Sequence, residues 1–379
     1  MNIFKLCLVA FIFFVACATP SGETANDEGK NSQNAKVSLP PNFYKKLRGK
    51  IGDDIYITMD LIKRRDSVSD QNSITGHYYY NKIGEPLDLY GTLNDSGAFE
   101  FSETNAKGEY TGTFKGKFIN NSEATGTFTN TKTQKQYPFE LKADETASNI
   151  FSFNEYYNET CKARDINMKS TQKDTLNWLD TMCSSIHINL VTLVGNDKAS
   201  KKINDMMLSN LLGVTGGEKP LGSIMQLLHS IDNYGIGDIL EAEYNTGIVS
   251  NEENYLCMNL SEWENTGGAH PNGVSYFLNF SKQTGDTISL LDIVLPETID
   301  ELVYRGKQQF IKENGSLGKD SEWFFGEEFF MPRTFAMGKG GLLFQYQSYE
   351  AGPYAAGRPQ FFLSWKQLKD IVKKEYLGN

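Results

Sequence analysis

The alternation of apolar and polar side chains changes character near residue 145 of the chain. From Leu47 to Lys142, short segments alternate apolar with polar residues, and Gly, Asn and Asp separate the segments. This period of two is that of a β-strand with one buried face, and the separating residues favour turns. We therefore expect an all-β domain over residues 43–146, an antiparallel meander or barrel-like sheet of about eight strands.

Three of these segments contain a threonine followed by a glycine, shortly before an aromatic residue. The pairs are Thr75-Gly76, Thr111-Gly112 and Thr125-Gly126. A glycine inside a strand permits the close backbone approach or sharp bend that a closing sheet requires. Such a sheet either holds a small ligand or is filled by its own side chains, and we expect the aromatic run His77–Tyr80 to be part of a filled core.

After residue 147 the pattern mixes two periods. Ser184–Gly195 has the composition of a strand, whereas Ala199, Ile203 and Leu211 recur at helical spacing. Further helices are expected after the prolines at 220 and 296 and over residues 366–377, with strands on both sides of a loop near residue 268. This predicts an α+β domain over residues 147–379, in which helices pack on an antiparallel sheet.

The N-terminus carries its own signal. An apolar run from Leu6 to Ala16 follows Lys5 and ends at Cys17. The run is shorter than the roughly 20 residues that a membrane-spanning helix needs, so it predicts a signal peptide over residues 1–16. The string "FVAC" resembles the lipobox of bacterial lipoproteins, which predicts lipidation at Cys17, with ordinary secretion as the alternative. Residues 17–42 are polar and predict a flexible tether.

The net charge indicates which classes of partner to expect, and the hydropathy indicates where the protein is located. The chain has a formal net charge of -10, and loss of Lys5 with the signal peptide would make it -11 (-10 - 1). An acidic surface repels nucleic acid and can attract basic partners. No second apolar run of membrane-spanning length follows, so we expect a cell-envelope protein held to a membrane by lipid alone. Ala18 after Cys17 favours the outer membrane or the cell surface over the inner membrane.

The cysteines and histidines indicate no metal site. Cys161, Cys183 and Cys257 remain once the signal is removed and Cys17 is acylated. We expect a disulfide between Cys161 and Cys183, which closes a local loop, and a buried free thiol at Cys257. Since neither CxxC nor HxxxH occurs, no metal and no cofactor is expected.

Two long motifs dominate the C-terminal part. They are "TGGAHPNGVSYFLNFSKQTGDTISLLDIV" at residues 266–294 and "FAMGKGGLLFQYQSYEAGPYAAGRPQFFLSWKQLKDIV" at residues 335–372. Together they resemble the C-terminal domain of the RsiV family, over about residues 150–379. Members of that family include a lysozyme-sensing anti-sigma factor, and the same domain accompanies a catalytic domain in PdaC-type peptidoglycan deacetylases and occurs in many bacterial lipoproteins.

The resemblance implies recognition and no catalytic activity. The sequence has neither the sigma-binding part of the anti-sigma factor nor the metal-binding residues of the deacetylases. What the resemblance implies is therefore binding of an extracytoplasmic protein or glycan, with lysozyme as the one partner it names. A basic lysozyme would suit an acidic receptor.

His270, in the string "GGAHP", is the candidate that decides between binding and catalysis. For catalysis it would need an orienting carboxylate or nucleophile, and Glu264, Ser275 and Asp286 are the nearest candidates in sequence. The interpretation we prefer is structural: glycines and proline shape the loop, and the imidazole holds it by hydrogen bonds to the backbone. We expect no catalytic residue.

A rigid loop of this kind suits a binding surface. The expected binding residues are Gly267, Gly268, Ala269, His270, Pro271, Tyr349, Glu350, Tyr354 and Arg358. Two alternatives stay open. One is a cell-wall or peptide hydrolase that uses His270, and the other is a carrier of a small ligand in the β domain.

Overall fold

The computed structural model describes residues 37, 39–65, 72–145, 149–165, 179–213, 220–233, 240–317 and 323–377. The predicted signal peptide, Cys17 and most of the predicted tether lie outside these residues. No helix in the described part of the chain has the length and apolarity to cross a membrane. The fold is α+β, with a barrel first and a mixed domain after it.

The first eight strands form a closed antiparallel barrel. They are β1 Phe43–Ile51, β2 Ile55–Arg65, β3 Asn72–Tyr80, β4 Leu87–Leu93, β5 Ala98–Thr104, β6 Tyr110–Phe118, β7 Glu123–Asn130 and β8 Gln136–Ala143. Each strand pairs with the next, and β1 also pairs with β8, which closes the sheet. The predicted meander is confirmed, in its closed form.

The predicted glycines lie where strands approach each other closely. A Cβ atom at Gly76 would lie 2.0 Å from the carbonyl oxygen of Asp60, and one at Gly126 would lie 2.2 Å from that of Lys115. Any larger residue would therefore push the neighbouring strand away. The close contacts tighten the curvature that lets eight short strands close on themselves.

The described barrel interior is filled by side chains. Tyr78, Phe101, Phe114 and Phe118 are each at most 1% exposed and belong to one continuous apolar cluster inside the barrel. One carboxylate shares this core, since the buried Glu103 accepts hydrogen bonds from the hydroxyls of Tyr78 and Thr111. A filled interior favours the structural interpretation of the aromatic residues over the ligand carrier.

The second domain is built on two sheets. The larger sheet contains β9 Phe151–Asp165, β10 Leu179–Leu193, β11 Glu241–Asn251, β12 Tyr255–Asn265 and β13 Asn272–Ser281, in the spatial order β13-β12-β11-β10-β9. The smaller sheet contains β14 Thr334–Gly338, β15 Gly341–Gln345 and β16 Gln360–Ser364. The helices are α1 Lys198–Leu212, α2 Pro220–His229, α3 Leu290–Ile293, α4 Ile299–Asn314 and α5 Trp365–Leu368.

The helices lie on opposite sides of the larger sheet. On one side α1 and α2 share an apolar core with β10, β11 and β12. On the other side the smaller sheet and α4 enclose a second core around Phe310 and Phe361. The two motif loops lie at the ends of β12 and β15, where these layers meet.

Three expectations about this domain were wrong in detail. The larger sheet contains one parallel pair, β10 with β11, because α1 and α2 form the crossover between them. The long strand β9 was not predicted, since its side chains are mostly half-buried and show little alternation. The closing helix spans only Trp365–Leu368, because Val372 forms an isolated bridge with Val294 and the chain is extended there.

The structure contains the predicted disulfide and the predicted free thiol. Cys161 and Cys183 are directly opposite each other on β9 and β10, and a disulfide joins them. Cys257 is buried with a free thiol, and burial raises its pKa to about 12.

The barrel contacts the second domain through polar as well as apolar groups. Lys46 Nζ lies 2.5 Å from Glu252 Oε1, and the two side chains are 1% and 5% exposed. The guanidinium of Arg64 donates to the carbonyl oxygen of Thr246. At another point Gly84 meets Gly340 so closely that a Cβ on Gly84 would lie 2.3 Å from the Gly340 Cα.

Candidate functional site

The GGAHP loop connects β12 to β13. Gly267 has φ +75°, a left-handed conformation that glycine adopts without strain, and its N–H donates to Asn265 Oδ1 at 3.1 Å. Gly268 and Ala269 are exposed, and a Cβ at either glycine would meet no atom within 4 Å. This part of the loop is therefore exposed to solvent, and side-chain packing begins at His270.

The second loop connects β15 to β16. Tyr349 lies in it with φ +68°, which is rare for a residue with a side chain. Glu350 Oε2 accepts a hydrogen bond from the N–H of Gln347 at 2.8 Å, which closes the turn that holds Tyr349. A short 3-10 turn follows at Tyr354–Ala356.

His270 joins the two loops. Its Nδ1 lies 2.9 Å from the carbonyl oxygen of Pro271, and its Nε2 lies 3.0 Å from the hydroxyl oxygen of Tyr349. The ring stacks on Tyr354, with centroids 4.0 Å apart and planes at 19°. The Tyr354 hydroxyl also donates to the Pro271 carbonyl, at 2.7 Å. We call His270, Pro271, Tyr349 and Tyr354 the His270 cluster.

These contacts define the tautomer of the neutral imidazole. A carbonyl oxygen can only accept, so Nδ1 must carry the hydrogen and donate it to Pro271. Nε2 then has a lone pair, and the Tyr349 hydroxyl donates to it. Both ring nitrogens thus contact the loops, Nδ1 through a backbone carbonyl as expected from the sequence and Nε2 through the side chain of Tyr349.

The carboxylates and hydroxyl that could have oriented His270 for catalysis lie in other contacts. Glu264 accepts from the hydroxyl of Tyr244 at 2.9 Å, and Asp286 pairs with Lys202. The Ser275 hydroxyl accepts from Asn259 Nδ2 at 2.8 Å. In the described part of the chain, neither nitrogen of His270 bonds to a carboxylate.

Gln347 is a site residue that the sequence did not single out. Its Oε1 accepts from the N–H of Ser275 at 3.0 Å, and its Nε2 donates to the carbonyl oxygen of Ser275 at 2.5 Å. This paired contact anchors the second loop on β13, the strand that follows the first loop. A glutamine 72 residues away in sequence gives no local signal of this contact.

The structure brings together only part of the predicted set. His270, Pro271, Tyr349 and Tyr354 form the cluster, and Arg358 lies beside it, with a terminal nitrogen 3.2 Å from where a Cβ on Gly273 would be. Burial lowers the pKa of Arg358, and the Tyr354 phenol partly offsets this effect. Glu350 turns inward to its own loop, and Gly267, Gly268 and Ala269 are exposed residues that precede the cluster.

A second pair of polar groups lies at the same end of the sheet. Glu262 and Glu264 are two residues apart on β12, so their side chains share one face. Burial raises the pKa of Glu262, and the nearby Glu264 carboxylate adds to the effect. These carboxylates face the α1 side, since Leu260 on the same face belongs to the α1 core.

Among the described residues, His270 belongs to no group of three potential metal ligands. In the described chain, three potential metal ligands come close together at Glu159, Cys161 and Cys183. Two of these three are the disulfide cysteines. A disulfide sulfur has no thiolate to offer a metal.

Comparisons with known proteins identify one domain. No curated protein matches the chain. A solved structure of a DUF3298 family protein from Bacteroides fragilis is 17% identical, with a TM-score of 0.48 over 60% of this chain and 95% of that one. Another, from Pseudomonas aeruginosa PAO1, is 17% identical, with a TM-score of 0.45 over 62% of this chain and 99% of that one.

The family match covers the second loop and stops short of the first. The matched residues include Tyr349, Tyr354 and Arg358, whereas His270 lies before them. The DUF3298 domain thus contributes one half of the His270 cluster. Residues 291–366 carry a DUF3298 domain, a family described as proteins of unknown function.

Proposed function

We propose that this protein is a non-catalytic recognition lipoprotein of the cell envelope, anchored through Cys17, which binds a protein or glycan partner through the His270 cluster. The observation that carries the proposal is the double engagement of the imidazole, by Pro271 and Tyr349. A histidine whose two nitrogens are occupied by loop contacts positions other groups. Among the described residues no carboxylate contacts the ring to orient it as a general base.

The cluster has the properties of a prepared docking surface. Tyr349 is 52% exposed although its backbone and hydroxyl are both held in place. An exposed aromatic side chain that is already ordered loses little conformational entropy when a partner covers it. Tyrosine and arginine are also the residue types most often found at the energetic centre of interfaces.

Charge favours a basic partner. The chain has a net charge of -10, with 47 acidic against 37 basic side chains. Oppositely charged surfaces accelerate encounter and disfavour like-charged competitors. A basic lysozyme of the animal type is therefore the first protein to test, as the resemblance to the RsiV family also suggests.

The experiment is a binding assay with the purified full chain. Immobilised protein would be exposed to a basic lysozyme and, separately, to soluble peptidoglycan fragments. We expect one of these ligands to bind and Tyr349→Ala to weaken binding at least about tenfold, as loss of an interface anchor does. Tyr304→Ala is the matched control, because Tyr304 is a 60% exposed tyrosine on α4.

The outcome that contradicts the proposal is equally specific. If neither class of ligand binds, or if Tyr349→Ala and Tyr304→Ala have the same effect, the His270 cluster is not the recognition surface. Hydrolysis of either ligand by the wild-type chain, with loss of that activity in His270→Asn, would instead support catalysis.

A further inference from the structure

A second candidate site lies between the barrel and the DUF3298 domain. The cavity has a volume of about 200 Å³ and lies beside the points where the barrel and the domain touch. His77, Glu85 and Asp88 line it on the barrel side. Glu313 of α4 and Gln345 of β15 are on the other side. An apolar cavity of about 150 Å³ is large enough for benzene, so this one can hold a molecule slightly larger than a single ring.

The walls of the cavity carry unbalanced negative charge. Glu85, Asp88 and Glu313 contribute three carboxylates, whereas the lining contains no lysine and no arginine. His77 is the only other titratable lining group, and its Nε2 already lies 3.5 Å from Asp60. Bringing carboxylates together in a confined space is unfavourable unless a cation balances them.

The carboxylates affect each other across the domain boundary. Burial raises the pKa of Glu313, hydrogen bonds from Gln309 and from the N–H of Phe362 oppose this effect, and the Glu85 carboxylate on the barrel adds a smaller rise against the charge of Lys312. The pKa of Asp88 is also raised by partial burial, with the neighbouring His77 opposing it, although the residue is exposed to solvent on one side. Burial is the largest cause of both shifts, so the charge argument rests on the composition of the lining.

A buried amide in the same cavity has no partner of its own. Gln345 is 8% exposed, and its side chain makes no hydrogen bond to any described residue. The amide atoms are not closed off from solvent, so they face the cavity and can bond to water or to a bound molecule. Because Gln345 lines the cavity, its amide is available to a hydroxyl or carboxyl group of a bound molecule.

A bare metal ion suits this site poorly. The carboxylates of the cavity do not form a close group of three metal ligands, since the one such group in the described chain lies at Glu159, Cys161 and Cys183. Apolar side chains, Phe277 and Phe362 among them, occupy much of the remaining wall. Such a mixture suits an organic cation, whose charge faces the carboxylates and whose carbon atoms face the apolar wall.

We propose that the cavity binds a small organic ammonium compound with additional hydrogen-bonding groups, of the size of an amino sugar or an amino acid. The ammonium group lies among Glu85, Asp88 and Glu313, and Gln345 receives a polar group of the same molecule. This site is separate from the His270 cluster and does not depend on the function proposed for it.

The test uses the full chain and four probes. D-glucosamine and L-lysine carry the ammonium group, whereas D-glucose and N-acetylglucosamine are neutral sugars of similar size. Calorimetric titration should detect binding of at least one ammonium probe and none of the neutral sugars. Binding of D-glucosamine would indicate an amino sugar as the ligand, and binding of L-lysine would indicate an amino acid.

Two variants test whether the probe binds in the cavity. The double variant Glu85→Gln/Glu313→Gln keeps the shape of the wall, and we expect it to weaken binding at least about tenfold by removing charge-assisted hydrogen bonds. Ala106→Trp adds bulk at an exposed lining position and should have a similar effect. Asp300→Asn is the matched control, because it removes an exposed carboxylate from the same α4 helix.

Two results would overturn the proposal. The first is that neither ammonium probe binds more tightly than the neutral sugars. The second is that binding survives unchanged in both cavity variants while each variant unfolds at the wild-type temperature, because the probe would then be bound elsewhere.

Discussion

The barrel interior and the His270 cluster both place a tyrosine hydroxyl against a polar acceptor, with opposite consequences. In the barrel, Tyr78 donates to Glu103 and is wholly buried, and burial together with Glu103 raises its pKa. In the cluster, Tyr349 donates to His270 and remains 52% exposed. The first contact satisfies a polar group inside a packed core, whereas the second holds an aromatic side chain in solvent.

The comparison shows that the same residue types serve two purposes, which burial distinguishes. Substitutions inside the barrel should therefore change stability, and substitutions in the cluster should change binding more than stability.

Phe114→Ala should have the largest effect. Phe114 is fully buried among aromatic rings, and truncation of such a side chain costs about 3–5 kcal/mol of unfolding free energy. Urea unfolding measures the change, and Tyr90→Ala, at a 50% exposed tyrosine of β4, is the control. Equal losses in both variants would mean that the barrel interior is not the packed core described above.

Glu103→Leu should cost less, about 1–3 kcal/mol, because it leaves buried hydroxyl donors without their acceptor. Tyr78 would keep its contact with the Tyr80 hydroxyl, at 3.1 Å, which limits the loss. Urea unfolding again provides the measurement, and Glu100→Leu, on the exposed side of the same strand β5, is its control. A gain in stability would show that the buried carboxylate is costly and is not well satisfied.

Tyr349→Phe should change stability by about 0.5–1.5 kcal/mol, the usual contribution of one hydrogen bond. The ring stays in place, so the expected change is greater mobility of the loop, seen as faster amide hydrogen exchange at residues 347–352. Unchanged exchange in the variant would show that His270 does not restrain this loop.

Glu262→Gln should have the smallest effect, and one that depends on pH. Because the pKa of Glu262 is raised in the folded state, ionisation of this carboxyl disfavours folding. The protonated carboxyl carries no such cost at low pH, and the unfolding free energy falls as the pH rises through the folded pKa. The variant should be slightly more stable than wild type at pH 7, and the difference should vanish below about pH 4. Thermal unfolding at both pH values checks this, and a destabilised variant at pH 7 would contradict the assignment.

Local patterns predicted the barrel well and the larger sheet less well. Alternation and glycine position are local properties, and they were sufficient for eight short strands connected in sequence. The parallel pairing of β10 with β11 depends on how α1 and α2 cross the sheet, which no local pattern contains. The predicted length of the final helix was wrong because the pairing of Val372 with Val294 outweighs the local helical pattern.

For the candidate site, too, the sequence predicted some features and could not predict others. The composition of the two loops indicated His270, Tyr349 and Tyr354, because glycine, proline and aromatic residues are informative without a structure. The partners of His270 could not be predicted, since Tyr349 lies 79 residues away and is brought close only by the packing of the two sheets. The inward orientation of Glu350 and the contact of Gln347 with β13 depend on the same packing.

The protonation of the His270 ring distinguishes positioning from catalysis, and ¹⁵N NMR of the histidines in the full chain observes it directly. We expect the neutral His270 to carry its hydrogen on Nδ1, donated to Pro271, with Nε2 unprotonated and accepting from Tyr349. Tyr349→Phe should remove the hydrogen-bond shift at Nε2 and leave Nδ1 protonated. A hydrogen on Nε2, or rapid exchange between the two tautomers, would show that the ring is free to move protons and would contradict the positioning role assigned to it.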